Sequence, residues 1–150
     1  MKKYLKNILL FLLLLFLYFL PTLIFKVDNK YYNSLNKPFF APKPIIFSLC
    51  WSILYIIFAI LLIKILKKEF RQGLVIMGIN YFISFFFIFF FFVKQNLFLS
   101  FCDSFLSFCS GLLLFLYFMK KDRYLAFMVT PYLLWTGFAS VLMCTIYFLN

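Results

Sequence analysis

The sequence predicts an all-α integral membrane protein: a five-transmembrane-helix bundle with a long structured loop between the first two helices. Three observations carry this. Apolar residues make up 67% of the 150 and charged residues 13%, against about 45–50% and about 25% in soluble domains. A chain this short has too little interior to hide that much apolar surface, so lipid is the solvent for most of it. The uncharged residues also fall into five runs, each close to the roughly 20 residues of helix that cross about 30 Å of hydrocarbon. Finally, the 15 basic residues sit almost wholly in the short segments between those runs. Membrane proteins carry their orientation signal there, and the net charge of +11 is therefore not read as a nucleic-acid surface.

The expected helices are 5–25, 45–64, 72–93, 96–119 and 124–149, within a single membrane domain, 1–150. Lys2, Lys3 and Lys6 precede the leucine-rich first run. That run exceeds the 7–15-residue core of a signal peptide and no small-x-small site follows, so it is read as a retained span. Pro21 is expected to bend it. The loop 26–44 is too long for a bare connection, which marks it as functional or disordered. Its Tyr31, Tyr32, Phe39 and Phe40, with Pro38, Pro42 and Pro44, favour a packed loop.

The second helix carries Trp51 about 9 Å below its outer end. The third is dominated by phenylalanine, and i, i+4, i+7, i+11 spacing puts Asn80, Ser84, Phe87 and Phe91 on one face. Its polar pair would either bridge helices or line a cavity. Asp103 is the one ionisable residue, apart from tyrosine and cysteine, inside a span. An intramembrane acid is a functional candidate by default. Ser100, Ser104, Ser107, Ser110 and Gly111 around it also read as a small-residue stripe for close helix packing. In the fifth helix Pro131 frees the carbonyl of Phe127, one turn before Trp135 near the midplane. An indole N–H at such depth needs a partner from protein or ligand.

Ten of the Lys and Arg residues lie on the side of the N-terminus and five on the other. The expected orientation therefore has the N-terminus inside, with the long loop and the C-terminus outside. The enzymatic inventory is thin. There is no His, the only acids are Asp28, Glu69, Asp103 and Asp122, and no glycine-rich phosphate loop exists. No acid–base pair, nucleophile or metal site is expected. Cys50, Cys102, Cys109 and Cys144 fall in apolar runs without a CxxC pair and read as small hydrophobes.

Two ordered motifs resemble the TspO/translocator protein family, the tryptophan-rich sensory proteins. One is Tyr32-x-x-Leu35-x-Lys37-Pro38-Phe39-Phe40-x-Pro42, followed by Phe47, Trp51 and Tyr55. The other is Pro131-Tyr132-x-x-Trp135-x-x-Phe138-Ala139-x-x-Leu142, ending Ile146-x-x-Leu149-Asn150. The resemblance spans nearly the whole chain. It implies a five-helix bundle in a bacterial cytoplasmic membrane, with a pocket lidded by the first loop. It implies a sensor or receptor for porphyrins and other tetrapyrroles, bound without a covalent link, and for other hydrophobic aromatic molecules. It also implies pairing of two copies through the third helix. Tyr32, Lys37, Pro42, Phe47, Trp51, Tyr55, Asn80, Ser84, Phe87, Trp135 and Ala139 match positions that look pocket-lining. The alternatives under the same resemblance are light-dependent porphyrin breakdown, with Trp51 and Trp135 as the candidate catalytic residues, or transport. The chain departs from the family pattern at Phe39 and Phe40 (usually Trp), at Ser84-x-x-Phe87 (usually Asn-x-x-Trp) and at Leu142-Met143 (usually Leu-Asn). Phenylalanine keeps a stacking face but loses the indole N–H. No base follows Tyr147, so the sterol pattern is incomplete.

Overall fold

A computed structural model describes residues 2–150, with side chains from residue 5 onward. It contains α1 (Lys2–Ile24), α2 (Asn29–Ser34), α3 (Pro44–Lys67), α4 (Arg71–Phe85), α5 (Leu97–Lys121) and α6 (Arg123–Leu149). A single π-helical turn, Phe89–Val93, continues the direction of α4. Five stretches are long and apolar enough to span a membrane: α1, α3, α4 with its π turn, α5 and α6. The protein is an all-α membrane bundle.

The helix ends follow from local chemistry. Pro44 opens α3 at a position where its missing N–H is no loss. The Asn96 side chain caps α5 by accepting from the Leu99 N–H at 2.9 Å. Asp122 caps α6, accepting from the N–H groups of Tyr124 and Leu125. Asp28 does the same for the short α2. The tight reversals before α4 and α5 place Glu69 and Gln95 at φ 53° and 50°, in the left-handed region that non-glycine residues visit mainly in turns.

The deepest contact is between α5 and α6, and it is made by the small-residue stripe. Ser100, Asp103, Ser104, Ser107, Ser110 and Gly111 are all buried. A methyl added at Gly111 would meet Tyr132 Cε1 at 2.9 Å, so α6 comes as near as a bare backbone allows. α4 packs on α5, α3 touches both α4 and α6, and α1 leans on α3 from outside. On the side of the basic turns the core is solid: Leu61, Ile65, Leu114, Phe118, Leu125, Ala126 and Val129 are fully buried. A second, smaller cluster around Tyr32, Phe91, Leu142, Met143 and Ile146 lies at the loop end.

Two expectations need correction. The third span is not one unbroken helix over 72–93. It breaks at Phe86, and its end closes with a Lys94 N–H to Phe89 carbonyl bond at 2.9 Å. A π turn inserts one residue and rotates the remainder of the span by about 100°, which lets Phe87 and Phe91 stack in parallel at 5.7 Å. Nor does the loop pack through all four aromatics. Tyr32 is buried, but Phe39 is fully exposed and touches only its neighbour Phe40, edge-on at 5.5 Å.

Candidate ligand pocket

The outer half of the bundle is hollow. A cavity of about 380 Å³ lies between α1, α3, the break in α4, α6 and the loop, within the roughly 300–1,000 Å³ typical of small-molecule sites. Its aromatic walls are Trp51 and Tyr55 on α3, Phe87 and Phe91 beside the break, Phe47 and Tyr32. Leu142, Met143 and Ile146 of α6 close the back. Thr22, Val27, Asn29 and Ser48 belong to the wall. The mouth therefore runs between the end of α1, the start of the loop and the first turns of α3.

The loop is held over the cavity by its own polar groups. Tyr32 donates its hydroxyl to the Pro42 carbonyl at 2.8 Å, and burial pushes that phenol above its usual range, so it stays a neutral donor. Tyr31 reaches the Gln95 carbonyl at 3.3 Å. The far end is clasped to α6: Asn36 N–H donates to Asn150 Oδ1 at 2.9 Å, and Asn150 Nδ2 donates back to the Asn36 carbonyl at 3.0 Å.

Of the residues singled out in the sequence, Tyr32, Phe47, Trp51, Tyr55, Ser84 and Phe87 line this cavity. Ala139 lines a separate recess of about 40 Å³, which shares Phe47, Trp51, Ser84, Phe87, Leu142 and Met143 with the main wall. Asn80 lies deeper. Its amide reaches Ser107 carbonyl, Ser110 Oγ and Tyr132 hydroxyl at 3.2, 2.7 and 2.9 Å, binding α4 to α5 and α6. Ser84 joins the same network through Ser107 and Tyr132, each at 3.0 Å, while also reaching the wall. Pro42 acts through its carbonyl. Lys37 does not face the cavity: its ammonium caps α2 by donating to the carbonyls of Tyr32, Asn33 and Leu35 at 2.8, 3.1 and 3.0 Å. Trp135 stands behind Phe47, edge-on at 5.7 Å, and its buried Nε1 has no partner. Only Trp51 of the two tryptophans is on a cavity wall.

Sequence reasoning missed Phe19, Thr22, Ser48 and Ser52. The signal for the α3 residues was present: Ser48 and Ser52 flank Trp51 and Tyr55 on one helical face. No basic residue lines the cavity, and Lys26, Lys30 and Lys43 adjoin wall residues in the chain. Among the described residues no three His, Cys, Asp or Glu side chains gather to hold a metal, and the four cysteines are free and half-buried. The site offers ring faces, hydroxyls and a wet cationic rim.

Residues 8–149 match the model of the TspO/MBR family. The tryptophan-rich protein TspO of Bacillus cereus is 29% identical over 154 residues, covering 100% of this chain and 99% of its own length. The membrane protein YtaB of Bacillus subtilis, described as uncharacterized, is also 29% identical, over 100% and 99%. The tryptophan-rich protein TspO of Chlorobaculum tepidum is 31% identical over 130 residues, covering 83% and 82%.

Proposed function

The chain belongs to the TspO/MBR family, and from that premise we propose that it is a receptor for flat aromatic macrocycles of the tetrapyrrole type. The observation that carries the reading is the roofed cavity of about 380 Å³ with Trp51, Tyr55, Phe87 and Phe91 as its walls. A flat ring gains most from offset or edge contacts with other rings, and this cavity offers little else. Its volume is at the low end for ligand sites, so a porphyrin would leave its carboxylate edge in the mouth. Lys26, Lys30 and Lys43 meet it there, at modest strength because the rim is wet. Lys37, occupied by three carbonyls, takes no part.

Titration of the purified protein with protoporphyrin IX in detergent tests this. Saturable binding is expected, weakened about threefold to tenfold in Trp51→Ala, the 0.5–1.5 kcal/mol of one aromatic pair. Trp135→Phe, behind the wall, should stay near wild type. Unsaturable uptake, or equal affinity in Trp51→Ala, would sink the reading. The same samples under illumination read out porphyrin breakdown, in which Trp51 is the tryptophan in reach.

In the proposed orientation the mouth faces outward and the basic turns around Lys64, Lys67, Lys68, Arg71, Lys120, Lys121 and Arg123 face the cytoplasm. A membrane-impermeant maleimide should label Lys43→Cys in intact cells, in a background without the native cysteines. It should label Lys68→Cys only after permeabilisation, and the reverse pattern would overturn the orientation. A second copy would dock on the exposed α4 face of Val75, Gly78, Ile79 and Phe82, which the particle mass in detergent reads.

A further inference from the structure

Asp103 lies on α5 six residues past Leu97, about 9 Å below the outer end of the helix. It is 5% exposed, and its Oδ2 is buried without a hydrogen-bond partner. The other three acids all have exposed or capping positions: Asp28 and Asp122 cap helices, and Glu69 sits in a turn. The one ion pair among the described residues is Lys68–Asp122, at the opposite membrane face. A buried acidic oxygen with no partner is rare in folded proteins and calls for a reason.

Its surroundings supply one. Asp103, Ser104, Ser107, Thr136 and Ala139 line the recess of about 40 Å³ that shares six wall residues with the main cavity. The hydroxyls of Ser104 and Thr136 donate to the carbonyls of Phe101 and Tyr132, both at 2.9 Å, so neither proton is turned to the acid. No Lys or Arg lines the recess or the main cavity. A carboxyl group in such a place can be satisfied only by something that enters. It rewards a donor, most of all a protonated nitrogen, and repels an anion.

We propose that the recess at Asp103 is a cation-accepting subsite, which takes the ammonium or other protonated nitrogen of an aromatic ligand whose ring lies in the main cavity. The inference rests on the cavity being a ligand pocket, though not on a tetrapyrrole being its ligand. For an amphiphilic macrocycle it also sets direction: the acidic edge stays at the mouth, and the opposite edge goes in.

Three probes with one ring separate charge from fit: 1-naphthylmethylamine (a cation at pH 7.4), 1-ethylnaphthalene (neutral) and 1-naphthylacetate (an anion). Each is titrated calorimetrically into the protein in zwitterionic-lipid nanodiscs, with empty discs subtracted. The expected result is at least tenfold tighter binding of the amine than of the hydrocarbon, with the anion weakest. Asp103→Asn, of nearly equal volume, should abolish the amine preference and leave the hydrocarbon within twofold. Ala139→Leu, which fills the recess and keeps the acid, should also reduce the preference, and it stands in if Asp103→Asn does not fold. Equal affinities in the wild type, a preference that survives both variants, or no binding of any probe would each overturn the proposal. Failure of protoporphyrin IX to bind would leave this ranking intact, and loss of the ranking would leave protoporphyrin binding intact, so the two readings fail separately.

Discussion

At the scale of single residues, the chain spends its few small and polar side chains where helices cross. Tyr132 shows how tightly. Its hydroxyl is held by Asn80 and Ser84, its ring packs on Phe58 at 4.4 Å, and its edge lies where a Gly111 side chain would be. The ring cannot swing aside without breaking those bonds, so Gly111→Ala should cost about 1–3 kcal/mol, as overpacking does. Gly78→Ala is the control. A methyl there meets nothing within 4 Å, so its effect should stay within about 1 kcal/mol and favour the helix. Thermal unfolding in detergent should rank Gly111→Ala well below the wild type and Gly78→Ala level with it or above. Equal melting temperatures would mean that α5 and α6 are not in the contact described. That these glycines differ could not be read from their spacing, because both sit in apolar runs and only the facing helix distinguishes them.

At the scale of elements, the turns carry the ionic chemistry. Asp122 caps α6 and accepts from the Lys68 ammonium of the turn after α3. The Lys68 hydrogen bond, aided by the N–H groups of Leu125 and Tyr124, holds its carboxyl below the usual carboxylate range. The stability it contributes is therefore complete above its unfolded pKa of about 3.9 and is lost as pH falls through the lower folded value. The unfolding midpoint should be flat from pH 7 to about 5 and fall below about 4, by a modest amount because the pair is close to water. Asp122→Asn should flatten this acid arm. Asp122→Ala should in addition lower stability at every pH by about 0.5–2 kcal/mol, the worth of an N-cap. An acid arm unchanged in Asp122→Asn would assign it to another group. The helices themselves were legible, since five uncharged runs can do little else in lipid. The break at Phe86 was not. It contains no proline or glycine, and the reason for it is the cavity, which periodicity within one helix does not reveal. The clasp of Asn36 on Asn150 was equally hidden, joining residues far apart in sequence through a geometry only the folded bundle creates.

At the scale of the whole molecule, the two halves of the bundle do different work. Toward the basic turns Leu61, Ile65, Leu114, Phe118, Leu125 and Val129 are fully buried and no cavity is present among them. Toward the loop the helices part around empty space, with Trp51, Phe87 and Phe91 as walls. The motifs in the sequence marked the hollow half well, because aromatic rings and serines at helical spacing are unusual inside a bilayer. They misassigned Lys37 and Trp135, whose side chains turn to a helix end and to the back of Phe47. Such rotations depend on tertiary contacts that a motif does not encode. The division between the halves predicts a separation of effects. Leu114→Ala should destabilise by about 2 kcal/mol, near the low end for buried leucines, since a lipid-bathed reference state removes much of the transfer contribution and leaves the cavity contribution. Protoporphyrin IX affinity, measured well below the melting temperature, should not change. Phe87→Ala should do the opposite: its ring borders a cavity already, so its loss leaves the melting temperature within about 1 kcal/mol of wild type while ligand affinity falls severalfold. If both variants lost stability and affinity in proportion, the solid half would not be an independent foundation, and binding would have to be treated as a property of the entire bundle.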